Sequence, residues 1–286
     1  MSVLWGVSYL LIKLAVRGGL PAPDVAWLRV AIAALLLTAL AWRAGTLRAL
    51  RGRWRWLAAY AVAEISIPFP LIAAGEVHVA SSLAAIIIAA VPLIGAVLAL
   101  RFDHSERPTP VRALGLAVGF SGVIALVGID VVGHGSQLVG AGAILVAAVG
   151  YAIGPMLVKH RLAGLDARAL MGASLSIAAL ILTPFAALET PRQLPSAGAL
   201  EAVAALAVFC TAAAFVIFTM LIREAGTSRA TVITYVNPVI AVALGVALVG
   251  ERPGAGAVLG LLLILIGSWL STGRMNDVET RARIGN

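Results

Sequence analysis

Residues 86–108 read "IIIAAVPLIGAVLALRFDHSERP", an apolar run that carries Pro92 and closes on Glu106-Arg107-Pro108. Residues 233–253, "ITYVNPVIAVALGVALVGERP", repeat the plan with Pro238 and Glu251-Arg252-Pro253. Setting Pro92 on Pro238, 146 positions later, also brings Ser82 onto Ser228 and Lys13 onto Lys159. With one residue removed from the loop, the two Glu-Arg-Pro exits coincide. A glycine then stands nine and sixteen residues after each glutamate: Gly115 and Gly122, Gly260 and Gly267. The pattern predicts two related halves. Each proline leaves the carbonyl four residues earlier, Ile88 or Thr234, without its helical donor, so Pro92 and Pro238 read as matched kinks, either static or flexing.

The surrounding composition sets the environment. Of 286 residues, 61% are hydrophobic and only 12% charged, and the mean hydropathy is +1.03, beyond what a soluble domain carries. Ten apolar runs follow one another: 2–16, 25–42, 56–75, 79–100, 111–129, 136–158, 169–188, 202–222, 230–250 and 254–273. Most are long enough to cross a hydrocarbon core of about 30 Å as a helix. The first, "MSVLWGVSYLLIKLAV", is short, and it lacks the basic region and cleavage site of a signal peptide, so it reads as a retained span. No alternating barrel pattern occurs. The expected fold is an all-α membrane protein of ten helices, in which five spans per half force the second half to enter the membrane inverted. Residues 1–130 form the first repeat, 131–273 the second, and 274–286 a polar tail. Such paired halves can expose one central site to either side in turn.

The net charge of +8 and a pI near 10.7 would suggest nucleic acid as a partner in a soluble protein. Here the charges sort by loop instead. With the N-terminus in the cytoplasm, sixteen of the 21 Lys and Arg residues fall on the cytoplasmic side, and Lys13, Arg17, Arg29, Arg192 and Arg252 fall outside. Both termini are expected in the cytoplasm, and no nucleic-acid partner is expected. Cys210 is the single cysteine, so no internal disulfide forms. The four histidines lie at or beyond span ends, no aspartate dyad lies within the apolar runs, and neither a metal site, a cofactor nor an enzymatic centre is implied.

The Trp5-Gly6 start followed by Lys13, Arg29 early in the second span, the prolines of the fourth and ninth spans, and the glutamate-proline exits with glycines behind them resemble the EamA-like branch of the drug/metabolite transporter superfamily. The resemblance covers essentially the whole chain. It implies a ten-helix inner-membrane permease with a cavity between the halves, usually an exporter of metabolites, amino acids or toxic compounds. One departure is Arg101-Phe-Asp-His-Ser-Glu106, whose extra residue and charges lengthen the first exit.

Among candidate site residues, Glu64 stands out in "WLAAYAVAEISIPFPLIAAG". It lies eight residues in from Trp56, roughly 12 Å deep at 1.5 Å per residue. A lone carboxyl there faces a wet cavity, is protonated, or is partnered by a neighbouring helix. Pro68 and Pro70 beyond it loosen the backbone, and Pro68 joins Pro92 and Pro238 as a candidate hinge. Lys13 and Arg29 either snorkel or contact an anionic group of a solute. Helical spacing places Trp5, Ser8, Tyr9 and Ile12 on one face, Tyr60, Glu64 and Pro68 on a second, Thr211, Phe215 and Phe218 on a third, and Thr234 with Asn237 on a fourth. Tyr151 is the offset counterpart of Trp5. Together they suit a small amphipathic solute, with protons as a coupling ion. Glycine pairs at four-residue spacing, Gly115/Gly119, Gly150/Gly154 and Gly256/Gly260, serve either close packing or a homodimer face. The alternative function is a channel or a non-transporting scaffold.

Overall fold

In the computed structural model the described residues are 1–102, 109–131, 133–189, 194–225 and 233–272, and within them every regular element is helical. The exit Glu106-Arg107-Pro108, Ser228, Arg192, the side chain of Thr234 and the 274–286 tail lie outside them. The helices are α1 (Ser2–Arg17), α2 (Ala22–Arg43), α3 (Trp54–Tyr60), α4 (Pro68–His78), α5 (Ser81–Ile88), α6 (Val91–Phe102), α7 (Pro110–Asp130), α8 (Gly135–Arg161), α9 (Ala167–Leu188), α10 (Ala197–Ala205), α11 (Ala214–Ala225), α12 (Ile233–Val249) and α13 (Ala255–Thr272). Two π-helices, Ala61–Ser66 and Leu206–Ala213, join α3 to α4 and α10 to α11. Among the described residues, seven stretches are long and apolar enough to cross a membrane; they include Trp54–His78, Ser81–Leu98 and Ala197–Leu221. Large apolar side chains face outward along them, as lipid-facing positions do: Leu35 and Leu180 are each 75% exposed.

Helix ends follow local chemistry. Asp166 caps α9 by accepting from the backbone N–H of Arg168 at 3.0 Å, and Ser196 caps α10 by accepting from that of Ala199 at 3.2 Å. The two π-helices have different causes. Pro68 has no N–H to give the Glu64 carbonyl, and the helix widens just before it, with the Ile67 N–H reaching back five residues to Val62 O at 3.1 Å. The second has no proline. There the Thr211 hydroxyl donates to Leu206 O, also five residues back, at 2.8 Å.

The expectation of matched mid-helix kinks is corrected at Pro92. The run 79–100 is interrupted: Ala89 and Ala90 close tight turns onto Ile86 O (3.1 Å) and Ile87 O (3.0 Å), and α6 then begins with Pro92 in its first turn. A proline there lacks only a donor that has no partner anyway. Pro238, by contrast, lies inside the unbroken α12. Pro155 and Pro184 also lie inside helices, α8 and α9.

Packing pairs α2 with α9 and α7 with α13; α1 lies against α12, α10 and the second π-helix, while α8 lies against α4, α5, α6 and the first π-helix. Small residues allow these approaches. A Cβ on Gly267 would overlap the backbone of Gly119, and one on Gly172 would come within 2.9 Å of Thr38 N. The three glycine pairs singled out by spacing are all taken up inside the chain: Gly115 and Gly119 meet Ser271 and Leu93, Gly150 and Gly154 meet Ala63 and Glu64, and Gly256 and Gly260 meet Asp130 and Leu126.

Candidate functional site

Glu64 lies in the first π-helix and is 7% exposed, and its Oε2 has no hydrogen-bond partner among the described residues. Its carboxyl occupies the space beside Gly154 of α8, where even a Cβ would overlap it. Gly150, one turn earlier, admits the Ala63 carbonyl and the Pro68 ring. The widened helix and the bare glycine face of α8 together make room for a carboxyl in the bundle.

Helical spacing puts Tyr60 and Glu64 on one face, but the π-turn between them sends their groups to different neighbours. The Tyr60 hydroxyl donates to Met171 Sδ of α9 at 3.6 Å, while Glu64 goes to α8. The two remain electrically coupled, and the coupling continues from Glu64 to Tyr151, from Tyr151 to Arg29 and Tyr9, and from these to Glu76 and Lys13. Buried or half-buried polar side chains thus lie within electrostatic reach of one another, pair by pair, from the π-helix to the α4–α5 turn.

Arg29 and Lys13 do not snorkel. They are 6% and 8% exposed, and each is committed inside. Arg29 Nε donates to Thr211 Oγ1 at 2.9 Å, and its guanidinium sits 4.0 Å from the centre of the Phe69 ring, a cation–π contact. The Lys13 ammonium donates to the backbone carbonyls of Glu76 and, at 2.7 Å, Val79, where the negative end of α4 favours a cation. The aromatic residues sort as follows. Trp5 packs edge-on against Phe215 at 5.9 Å and tilted against Phe218 at 4.9 Å, so α1 and α11 share an aromatic wall. Ser8 and Tyr9 are buried on α1, and Asn237 and Pro238 are buried on α12. Gly6 brings α1 against α12, since a Cβ there would meet Asn237 O at 3.0 Å.

The α4–α5 turn is clasped from two sides. Lys13 holds its α4 end. At its α5 end Glu251 accepts from Ser81 N and Ser81 Oγ, both at 2.8 Å, and from Ser82 N at 3.0 Å. Gly250, at φ +69°, turns the chain so that Glu251 reaches back, and the Glu251 N–H bonds Gly245 O at 3.0 Å. Burial pushes the Glu251 carboxyl up, but the donors of Ser82 and Ser81 more than offset it, leaving it below the ordinary carboxylate value.

A series of polar groups inside a helical, lipid-facing bundle is what a permease needs, and the family comparison agrees. The EamA-like transporter family matches residues 1–128 and 138–273. The chain belongs to the EamA-like transporter family. It is 30% identical over 262 residues, 88% of its length, to the uncharacterized inner membrane transporter YedA of Escherichia coli strain K12, of which it covers 81%. It stands in the same relation to the YedA proteins of strains O6:H1 and O157:H7. A protein crystal structure, 20% identical, shares the fold with a TM-score of 0.66 over 95% of this chain and 97% of its own. Membership makes this a membrane transporter, as the Trp5-Gly6 start, Arg29 and the paired prolines implied.

Sequence reading missed Glu76 and both π-helices. Glu76 stands one residue past the apolar run 56–75 and so reads as the edge of a loop; it is in fact fully buried. The first π-helix has a signal, the Pro68 that follows it. The second rests on a threonine hydroxyl, which carries no positional signal of its own.

Proposed function

We propose that this chain is a secondary transporter of the cell's inner membrane that exports small metabolites, amino acids or drug-like solutes by alternating access, driven by proton exchange at Glu64. The supporting observation is the Glu64 carboxyl itself, buried in a π-helix against Gly154 with an oxygen left unpartnered. A transporter can load and unload a proton there, whereas a scaffold has no use for such a group. Two repeats, 1–130 and 131–273, would face each other as inverted halves of five spans. The packing supports this, because pairings recur with the halves exchanged: α1 with α12 answers α8 with α5 and α6, and α1 with the second π-helix answers α8 with the first. The arginine bias supports cytoplasmic termini, and the inner-membrane name of YedA supports the location.

In this reading Glu64 takes a proton when its site opens outward and gives it up when the site opens to the cytoplasm and solute enters. Trp5, Phe215 and Phe218 wall the solute's apolar part, Tyr9, Tyr151, Ser8 and Asn237 line its polar side, and Arg29 meets an anionic group. Pro238 and Pro68, together with the break at Ala89–Ala90 that precedes Pro92, are the flexing points. The test is transport of a metabolite panel in vesicles, with and without a pH gradient, by the wild type and by Glu64→Gln. A solute whose movement follows the gradient in the wild type and loses it in Glu64→Gln while still binding is the expected result. Full gradient-driven transport by Glu64→Gln would return the acid to a packing role.

A further inference from the structure

Glu76, near the end of α4, is 0% exposed, and neither carboxyl oxygen has a hydrogen-bond partner among the described residues. Yet a cation lies next to it. The Lys13 ammonium bonds the backbone carbonyl of the same residue and that of Val79, leaving the carboxyl alone. Two of the ammonium's three N–H donors are used by these carbonyls. A buried carboxylate without a donor is far more costly than a neutral acid in the same place, so this conformation is that of Glu76 with its proton on.

We propose that Glu76 is a second proton-binding site, and that its proton decides whether Lys13 holds the α4–α5 turn. With Glu76 neutral, Lys13 stays on the carbonyls of residues 76 and 79. When the proton leaves to solvent, the new carboxylate draws the ammonium to itself and off Val79 O, and the turn keeps only the Glu251 clasp on Ser81 and Ser82. The groups facing Glu76 agree with this exchange. Lys13 and Tyr9 on α1, Arg29 on α2 and Glu251 beyond α12 are in electrostatic reach. His78 stands exposed farther along α4 itself. From α8, Gly140 and Ile144 press on Gly75, and from α5 Ser81 is already committed to Glu251. Lys13 is thus the cation free to move to the carboxylate, since Arg29 is tied to Thr211 and Phe69. The site is separate from Glu64, twelve residues earlier, and rests on the transport reading only for its use.

Infrared difference spectra of the full chain in vesicles of phosphatidylcholine and phosphatidylglycerol, titrated with pH, test it without any solute. A protonated-carboxyl component that is lost in Glu76→Gln but kept in Glu64→Gln is expected. Removing the cation in Lys13→Met should make that component persist about one pH unit higher, a roughly tenfold tighter hold on the proton. If Glu76→Gln does not fold, Glu76→Asp should keep a titrating component at a shifted frequency. In a Cys210→Ala background, Ala80→Cys should label with an impermeant maleimide several-fold faster as Glu76 titrates, and Glu76→Gln should abolish that rise. A spectrum unchanged by the Glu76 variants, a component that Lys13→Met does not move, or a labelling profile identical with and without Glu76 would each overturn the proposal. The Glu64 component and the transport assay would stand regardless.

Discussion

The two π-helices occupy corresponding places in the chain, Ala61–Ser66 and Leu206–Ala213, and at the same offset of 146 Glu64 faces Cys210 as its counterpart. The widened backbone is common to both halves, but its cause and contents are not. In the first a proline denies the helix a donor and an acid fills the space; in the second a threonine hydroxyl enters the ladder and a thiol takes the acid's place. The facing helix differs too. Opposite the acid α8 has Gly154, and at that offset α1 has Ser8. The backbone geometry is thus set twice by unrelated side chains, which argues that the geometry is what both halves require and that the acid is an addition to one of them.

The largest expected effect comes from making the first half like the second at that contact. Gly154→Ser puts a side chain where the Glu64 carboxyl now lies. The displaced group is the end of a flexible chain, so folding should persist with a modest overpacking penalty of about 1–3 kcal/mol. Gradient-driven transport should fall about tenfold or more, equal to at least about 1.4 kcal/mol in the barrier. Near-wild-type transport would mean that the carboxyl has no fixed position to lose.

The causes of widening can be separated next. Thr211→Val leaves Arg29 Nε without its acceptor in a buried setting and takes the hydroxyl bond from Leu206 O, at a cost of about 1–3 kcal/mol. Pro68→Ala returns an N–H to the first half and removes a ring that packs on α8, with an expected change within about 1 kcal/mol. The midpoint of thermal unfolding in detergent should therefore drop clearly for Thr211→Val and little for Pro68→Ala. The reverse order would show that the proline, not the hydroxyl network, holds the geometry.

What the sequence makes legible follows from the physics of each signal. Apolar runs longer than a bilayer, the charge asymmetry and the paired prolines depend on many residues at once, so the helical membrane architecture and the family could be read directly. Glu64 was visible because an acid in the middle of a run has no soluble explanation. Glu76 was not, because a helix that continues to His78 carries the acid inside while its sequence neighbours already look like a loop. Lys13 and Arg29 looked like snorkelling residues because depth along a helix says nothing of rotation about it. The interruption at Ala89–Ala90 was hidden for a similar reason: a proline marks a lost donor but does not say whether the helix bends or ends.

The smallest effect tests the asymmetry at the helix starts. α2 begins at Pro21 without a side-chain cap, whereas α9, its packing partner, begins at Asp166, whose carboxylate accepts from the N–H groups of Arg168 (3.0 Å) and Ala169 (3.4 Å). Asp166→Ala should cost about 1 kcal/mol, as loss of an N-cap does; the accompanying Arg168 ion pair, 3.0 Å long and solvent-exposed, adds little. The side-chain hydrogen bond from Arg168 holds the Asp166 carboxyl below its ordinary value despite some burial. A group whose folded-state proton affinity is lowered in this way stabilises the fold above its unfolded value, about 3.9, and that stability is lost as pH falls through the lower folded value. The difference between Asp166→Ala and the wild type should therefore be full at neutral pH and shrink only below about pH 4, in unfolding midpoints measured across that range. A difference that is already absent at neutral pH would make α9 as indifferent to its cap as α2, and the asymmetry between the two starts would be one of sequence alone.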